Sequence, residues 1–168
     1  RMFTAGRQRS TGIGMFNDAF RNAIKGDNDG GRPGYATGAA GCEREIAKGV
    51  VASIRYSDGL SGFAQEPGEC VNYVSCHDNL TLWDKIARSN AFDSKGDRIS
   101  MDLLAQAIVL TSQGIPFLEG GAELLRTKRG HHNSYRAGDE VNQFEWWRKH
   151  EFREVFDYYR GLIEVRRA

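Results

Sequence analysis

The chain has 168 residues, of which 40% are hydrophobic and 27% charged, a composition that packs a core and excludes a disordered chain. Lys plus Arg number 23 against 22 Asp plus Glu, so the net charge of +1 lays no basic field out for a nucleic-acid partner. The longest apolar run, Ala107 to Leu110, excludes a helical membrane span, which needs roughly 20 such residues, and the length falls short of a complete β/α barrel of roughly 250. A start at Arg1 and a stop at Ala168 within a helical pattern lead us to expect a piece of something larger.

In chain order, Ile13 to Phe16 reads as a weak strand, followed by Asn17-Asp18 and a short helix from Asp18 to about Ile24. Gly26 to Gly41, GDNDGGRPGYATGAAG, is a loop by every turn signal. Its Asp27-Asn28-Asp29-Gly30 run hints at calcium. Arg32 stands where an EF-hand opening at Asp27 needs glycine, so a turn is the expectation. A second helix is predicted from Glu43 to about Ile54. The best strand is Val71 to Ser75, and Cys76-His77-Asp78-Asn79 comes directly after it.

The clearest helix runs from Asp97 to about Ser112, capped by Ser94 or Asp97. Arg98, Asp102 and Gln106 form a narrow polar stripe in an otherwise apolar surface, so most of this helix is expected to be buried. Ile115 to Leu118 reads as a third strand with Pro116 near its start. A long polar loop then extends from Glu119 to about Trp147. The last helix begins near Glu151 and puts Phe152, Val155, Phe156, Tyr159, Leu162 and Ile163 on one face. Strands alternating with helices imply βαβ units, a parallel sheet and functional residues just past the C-terminal strand ends.

Those ends gather amide, acid and imidazole groups, which suit a ligand rich in hydroxyls such as a sugar. Competing chemistries fit less well. Cys42, Cys70 and Cys76 are an odd, widely spaced set without a metal or disulfide pattern; they favour a reducing, cytoplasmic setting, with secretion left open. A Cys76-His77 dyad is disfavoured because neighbours on a strand face opposite ways. Zinc at His131, His132 and Asp139 competes with plain solvation of a loop. Gly12-Ile13-Gly14 lacks the third glycine of a dinucleotide site, no Gly-Lys pair makes a phosphate loop, and Asn79-Leu80-Thr81 matches a glycosylation sequon only in its shortest form. His77 and Asp78 read equally as pocket residues or as a loop His with a capping Asp.

YVSCHDNLTLWDKI, from Tyr73 to Ile86, resembles the fourth conserved region of the α-amylase superfamily of glycoside hydrolases, in the form found in bacterial type I pullulanases. Gly12 to Gly26 is similar to the segment around barrel strand six, Ser112 to Lys128 to strand eight and its loop, His132 to Trp146 to the sugar-binding loop after it, and Tyr158 to Ala168 to the last barrel helix. The resemblance implies an α/β fold, a partial (β/α)8 barrel holding strands six to eight, with residues 1–168 forming an incomplete C-terminal part of a catalytic barrel and a C-terminal β-sandwich absent. It implies a parent that cleaves α-1,6 branch links in pullulan, starch or glycogen with retention of configuration. Isoamylase-type or other α-glucan hydrolases, and a non-catalytic carbohydrate-binding remnant, are the alternatives.

Carried onto this chain, the resemblance makes Asp78 the carboxylate that stabilises the transition state, with His77 on the same ring, Asn79 on the neighbouring sugar and Phe16 a stacking platform. Asn133, Tyr135, Asp139 and Asn142 fall in the loop that holds further glucose units, and Glu123 reads as a buttress. Ala122 and Gln143 replace polar and basic residues of relatives, which removes a polar contact and puts ionic bracing of the loop in doubt. The family's nucleophile and general acid match no segment here, so the chain alone is expected to be inactive and to fold only in part. The expected partner is an α-glucan, with no nucleic acid, membrane, metal or cofactor, and calcium left open for the parent.

Overall fold

The computed structural model describes residues 4–168. Three strands, β1 (Met15–Phe16), β2 (Cys70–Asn72) and β3 (Ile115–Pro116), form a parallel sheet in that order. Phe16, Val71 and Ile115 lie side by side, and Asn72 faces Pro116, so the C-terminal ends are level. The helices are α1 (Asp18–Lys25), α2 (Glu43–Val50), α3 (Leu82–Ser89), α4 (Lys95–Thr111), α5 (Asp139–Asn142), α6 (Arg148–Glu151) and α7 (Arg153–Arg167). No helix among the described residues is long and apolar enough to cross a membrane.

Parallel pairing is as expected, but the strands are shorter than their sequence patterns. The chain leaves the ladder early on both sides of β2. Asn17 N still donates to Val71 O (2.9 Å) and Phe117 N to Asn72 O (2.8 Å). Beyond them Tyr73, Val74 and Ser75 stay buried without strand pairing.

Helix α1 starts where predicted because the Asn17 side chain accepts from Phe20 N (3.2 Å). Helix α2 ends four residues before the predicted Ile54. Ala52 (φ 55°) and Ser53 (φ 52°) turn left-handed, and Ser53 N returns to Lys48 O at 2.8 Å. The reversal buries Ala52 among Ala64 and Cys70, so tertiary packing overrides the apolar run. Gly49 is obligatory in α2, since a Cβ there would lie 1.9 Å from the Phe20 ring. Helix α3 was not predicted, although Thr81 caps it by accepting from Asp84 N (3.2 Å).

Helix α4 begins two residues before the predicted Asp97 and is capped by Ser94, whose hydroxyl accepts from Asp97 N (3.1 Å). Its polar stripe turns inward: Asp102 and Gln106 are each 1% exposed, whereas Leu104 is 44% exposed. The stripe packs on α7, where the Tyr159 hydroxyl donates to Asp102 (2.6 Å). One apolar cluster (Phe20, Ile24, Val74, Leu82, Ile86, Val109) lies among α1, α3 and α4. A second (Ala122, Leu125, Phe152, Val155, Tyr159) lies against α7, and each large side chain buried in them contributes about 1.5–3 kcal/mol. Near the chain's end, Arg166 reaches back to the carbonyls of Leu110 (3.1 Å), Ser112 and Gly114, closing the end of α4 and the turn into β3.

Burial pushes the Asp102 carboxyl up to about 7, against the opposing hydrogen bond from Tyr159. With the folded value above the ordinary 3.8, this residue's contribution is full below about pH 4 and is lost as pH rises to about 7. Asp102→Asn keeps an acceptor for Tyr159 without the charge. It is expected to raise stability at pH 8 by on the order of a few kcal/mol, with a smaller gain at pH 5, as read by urea unfolding.

Candidate functional site

The level strand ends rest on a buried amide. Asn72, fully buried, donates through Nδ2 to Gln113 O (2.8 Å) and Gly49 O (3.3 Å), and accepts at Oδ1 from Asn17 Nδ2 (3.1 Å). Above this floor Phe16, Tyr73 and Phe117, one from each strand end, meet edge to face with centroids 4.7 to 6.4 Å apart. Tyr73 is anchored by its hydroxyl, which donates to Asp18 (2.6 Å). Phe16 remains 47% exposed, an open aromatic edge at the place the sequence assigned to a stacking platform.

After β2 the chain runs over the rim. Cys76 Sγ donates to Asp78 Oδ1 at 2.5 Å, and that hydrogen bond holds the exposed Asp78 carboxyl below the ordinary range. Burial and the Asp78 charge push the Cys76 thiol up, which rules it out as a ready thiolate nucleophile. The strand-alternation reason against a Cys76-His77 pair is superseded, because β2 stops at Asn72 and ligand atoms of Cys76, His77 and Asp78 all lie within 4.8 Å of one another. All three cysteines are free thiols.

Asn79, expected against a sugar, adopts a left-handed conformation (φ 63°) and has its amide engaged at both ends. It accepts from Asn28 (3.1 Å) and donates to Asp29 (2.8 Å), while Asp29 also accepts from Leu80 N (2.9 Å). The glycine-rich loop is further pinned by the buried Lys85, which pairs with Asp27 (3.1 Å) and donates to Gly30 O and Arg32 O. The acidic run is therefore a braced turn, as its sequence suggested.

A second wall comes from the loop after β3. Asp84, on the unpredicted helix α3, accepts from Thr127 Oγ1 (2.5 Å), Lys128 N (2.8 Å) and Gly130 N (3.2 Å). Lys128 in turn donates to His77 O (2.9 Å), joining this loop to the one after β2. Together they enclose an open depression of about 410 Å³ whose lining includes His77, Phe117, Glu119, Arg126, Tyr135 and Asn142.

Of the sequence-predicted residues, His77, Tyr135 and Asn142 thus share one depression; Asp78, next in the chain after His77, is exposed and outside its lining. The Asn142 amide donates to Ser134 O (2.8 Å) and Ala137 O (2.9 Å), so it shapes the loop while leaving its oxygen as an acceptor. Asn133 and Asp139 are exposed outside the lining, and Asp139 opens α5. Glu123 accepts from Gly121 N (3.1 Å) and faces the α7 side beside Tyr159. Ala122 packs in the apolar cluster. Bracing next to Gln143 comes from Arg126, which donates to Asn142 O (2.6 Å) and lies over the Phe144 ring.

Glu119 was missed. It is 7% exposed and belongs to the lining of the depression, and burial raises its carboxyl against the opposing Ser75 hydrogen bond and the nearby Lys128 and Arg126 charges. Lys25, also missed, is buried beneath the rim, its ammonium pulled down to about 8 by burial and by Arg21. Neither carries a sequence signal beyond its place near a strand or helix end.

No family model matches the chain. It is 41% identical over 167 residues to the pullulanase of Bacillus subtilis (strain 168), covering 98% of this chain and 23% of that protein. A solved pullulanase from Bacillus acidopullulyticus superposes with a TM-score of 0.93 at 50% identity, over 99% of this chain and 20% of that one. The pullulanase from Paenibacillus barengoltzii, solved as a complex with maltohexaose and α-cyclodextrin, gives 0.88 at 49% identity, over 92% and 24%. The chain therefore spans less than a quarter of the length of these relatives.

Because the Cys76 thiol is the first cause of the lowered Asp78 carboxyl, Cys76→Ala is expected to move Asp78 upward toward ordinary carboxylates. The pH dependence of the Asp78 carboxyl carbon shift reads this, and an unchanged midpoint would deny the thiol that role.

Proposed function

We propose that this chain, a segment of a pullulanase-type glycoside hydrolase, supplies one wall of the sugar site and one of the three carboxylates that cleave α-1,6 links in an α-glucan. The observation that carries the reading is Asp78: an ionised carboxylate at the C-terminal end of the middle of three parallel strands, beside His77 and a depression lined by Phe117, Glu119 and Tyr135. In β/α barrels catalysis occupies that end of the strands. We read β1, β2 and β3 as strands six to eight of such a barrel, of the α-amylase superfamily. The maltohexaose and cyclodextrin held by the Paenibacillus barengoltzii relative support an α-glucan as ligand.

In this mechanism an Asp nucleophile and a Glu acid, carried on other strands, make and break the glycosyl bond with retention. Asp78 acts on the same ring. As the ring flattens and positive charge develops, hydrogen bonds from sugar hydroxyls to a fixed carboxylate strengthen, which lowers the barrier more than it aids binding. The thiol of Cys76 keeps Asp78 ionised and oriented. His77, with its carbonyl tied to Lys128, presents its ring to the same sugar. Phe16 offers an apolar face to the leaving side, and Tyr135 and Asn142 hold units further along the non-reducing side. Asn133 and Asp139 extend that surface, and Asn79 acts through the Asp29 loop it braces. The chemistry is acid–base and nucleophilic and needs no cofactor.

The 168 residues alone are expected to release no reducing sugar from pullulan. In a longer protein that contains them and has activity, Asp78→Ala is expected to lower kcat by about 10²–10³-fold with a smaller change in KM. Cleavage by the 168 residues, or a loss under about tenfold in the variant, would overturn the assignment.

A further inference from the structure

The rim loop holds a second kind of chemistry that hydrolysis does not use. Cys76, His77 and Asp78 each offer one ligand atom, a sulfur, an imidazole nitrogen and a carboxylate oxygen, and the three lie within 4.8 Å of one another. Cys76 is half-buried, and His77 and Asp78 are exposed, so the set is open to solvent on one side. The loop is held by Lys128 on His77 O and, just beyond Asp78, by Asp29 on the Asn79 side chain and on Leu80 N.

We propose that Cys76, His77 and Asp78 form a binding site for a thiophilic divalent cation, Zn²⁺, and that the ion inhibits by taking Asp78 away from the sugar. A tetrahedral zinc with sulfur at about 2.3 Å and nitrogen or oxygen at about 2.0–2.2 Å sets its ligands about 3.5 Å apart. The Cys76–Asp78 contact at 2.5 Å must open by about 1 Å, and the widest pair must close by a similar amount, within the reach of side-chain torsions on a fixed loop. The thiol proton that now bridges Cys76 to Asp78 leaves to solvent, and the cation takes its place between the same two groups. Water or a sugar hydroxyl fills the fourth position. A sulfur and an imidazole select zinc over calcium or magnesium, which prefer all-oxygen sets.

Binding itself does not depend on the glycosidase reading; inhibition does, and the two are separable. Titration of the chain with Co²⁺ as a spectroscopic zinc analogue should show one equivalent bound, with a thiolate-to-metal charge-transfer band and the visible bands of a tetrahedral ion. Zn²⁺ should displace it. Losing a ligand should cost at least the roughly tenfold that an outer partner costs, so Cys76→Ser is expected to lose the band and weaken Zn²⁺ by that factor or more, whereas His131→Ala should change neither. Absence of the band, or its persistence in Cys76→Ser, overturns the site. In an active longer protein, Zn²⁺ should suppress pullulan cleavage less in Cys76→Ser than in its parent. Binding without any suppression would leave the metal site standing but overturn the proposed inhibition and the placement of Asp78 on the sugar.

Discussion

The side-chain amide of Asn72 is the constraint on which the rest of the structure depends. It sits at the C-terminal end of the central strand with no access to water, where an amide lacking partners would cost on the order of several kcal/mol. Its partners are the end of β1 through Asn17, the last turn of α2 through Gly49 O, and the turn into β3 through Gln113 O. Three segments far apart in sequence are thereby held to one point, and the level strand ends follow from that. Asn17 carries the constraint onward, since the same residue caps α1 through Phe20 N. An apolar side chain at position 72 would fill the space and take the side-chain donor from Gln113 O, while Asn17 would keep Ser53 Oγ (3.0 Å) and Gly49 O would keep Ala52 N (2.9 Å).

Two loops around the site are positioned by the same principle at a larger radius. Lys85 and Asp84 are neighbours on α3, both buried, and each holds a different loop: Lys85 the glycine-rich turn, Asp84 the segment at Thr127 to Gly130. One short helix therefore braces both the turn that holds Asn79 and the loop that walls the depression. Buried charges are costly unless fully partnered, and here the partners are the Asp27 and Thr127 side chains together with backbone groups of the two loops.

Much of this was legible in the residues, and the failures have physical causes. The parallel α/β order, the glycine loop as a turn and the Ser94 cap were all readable, because each rests on local chemistry. Helix α3 was not, although Thr81 and Asp84 make a cap pattern; its eight residues follow closely on the more conspicuous Cys76–Asn79 run. The stripe Arg98, Asp102, Gln106 showed a helix but not which way it faced, since the hydroxyl that donates to Asp102 belongs to Tyr159, 57 positions away. Helix α2 was overextended because Val51 and Ile54 continue the apolar pattern into a left-handed turn. Asp78 and His77 were found through family resemblance, while Glu119 became visible only when the fold closed around it.

Arg166 has a consequence for the order in which the chain takes shape as it is made. The carbonyls it gathers, at Leu110, Ser112 and Gly114, belong to the turn that launches β3, more than fifty residues earlier in synthesis. While the loop after β3 is still being added, that turn lacks the guanidinium that gathers its carbonyls in the finished fold. A chain cut before residue 166 would keep every residue of the three strands and of the aromatic group Phe16, Tyr73 and Phe117, but would leave the carbonyls of Leu110, Ser112 and Gly114 without this cation.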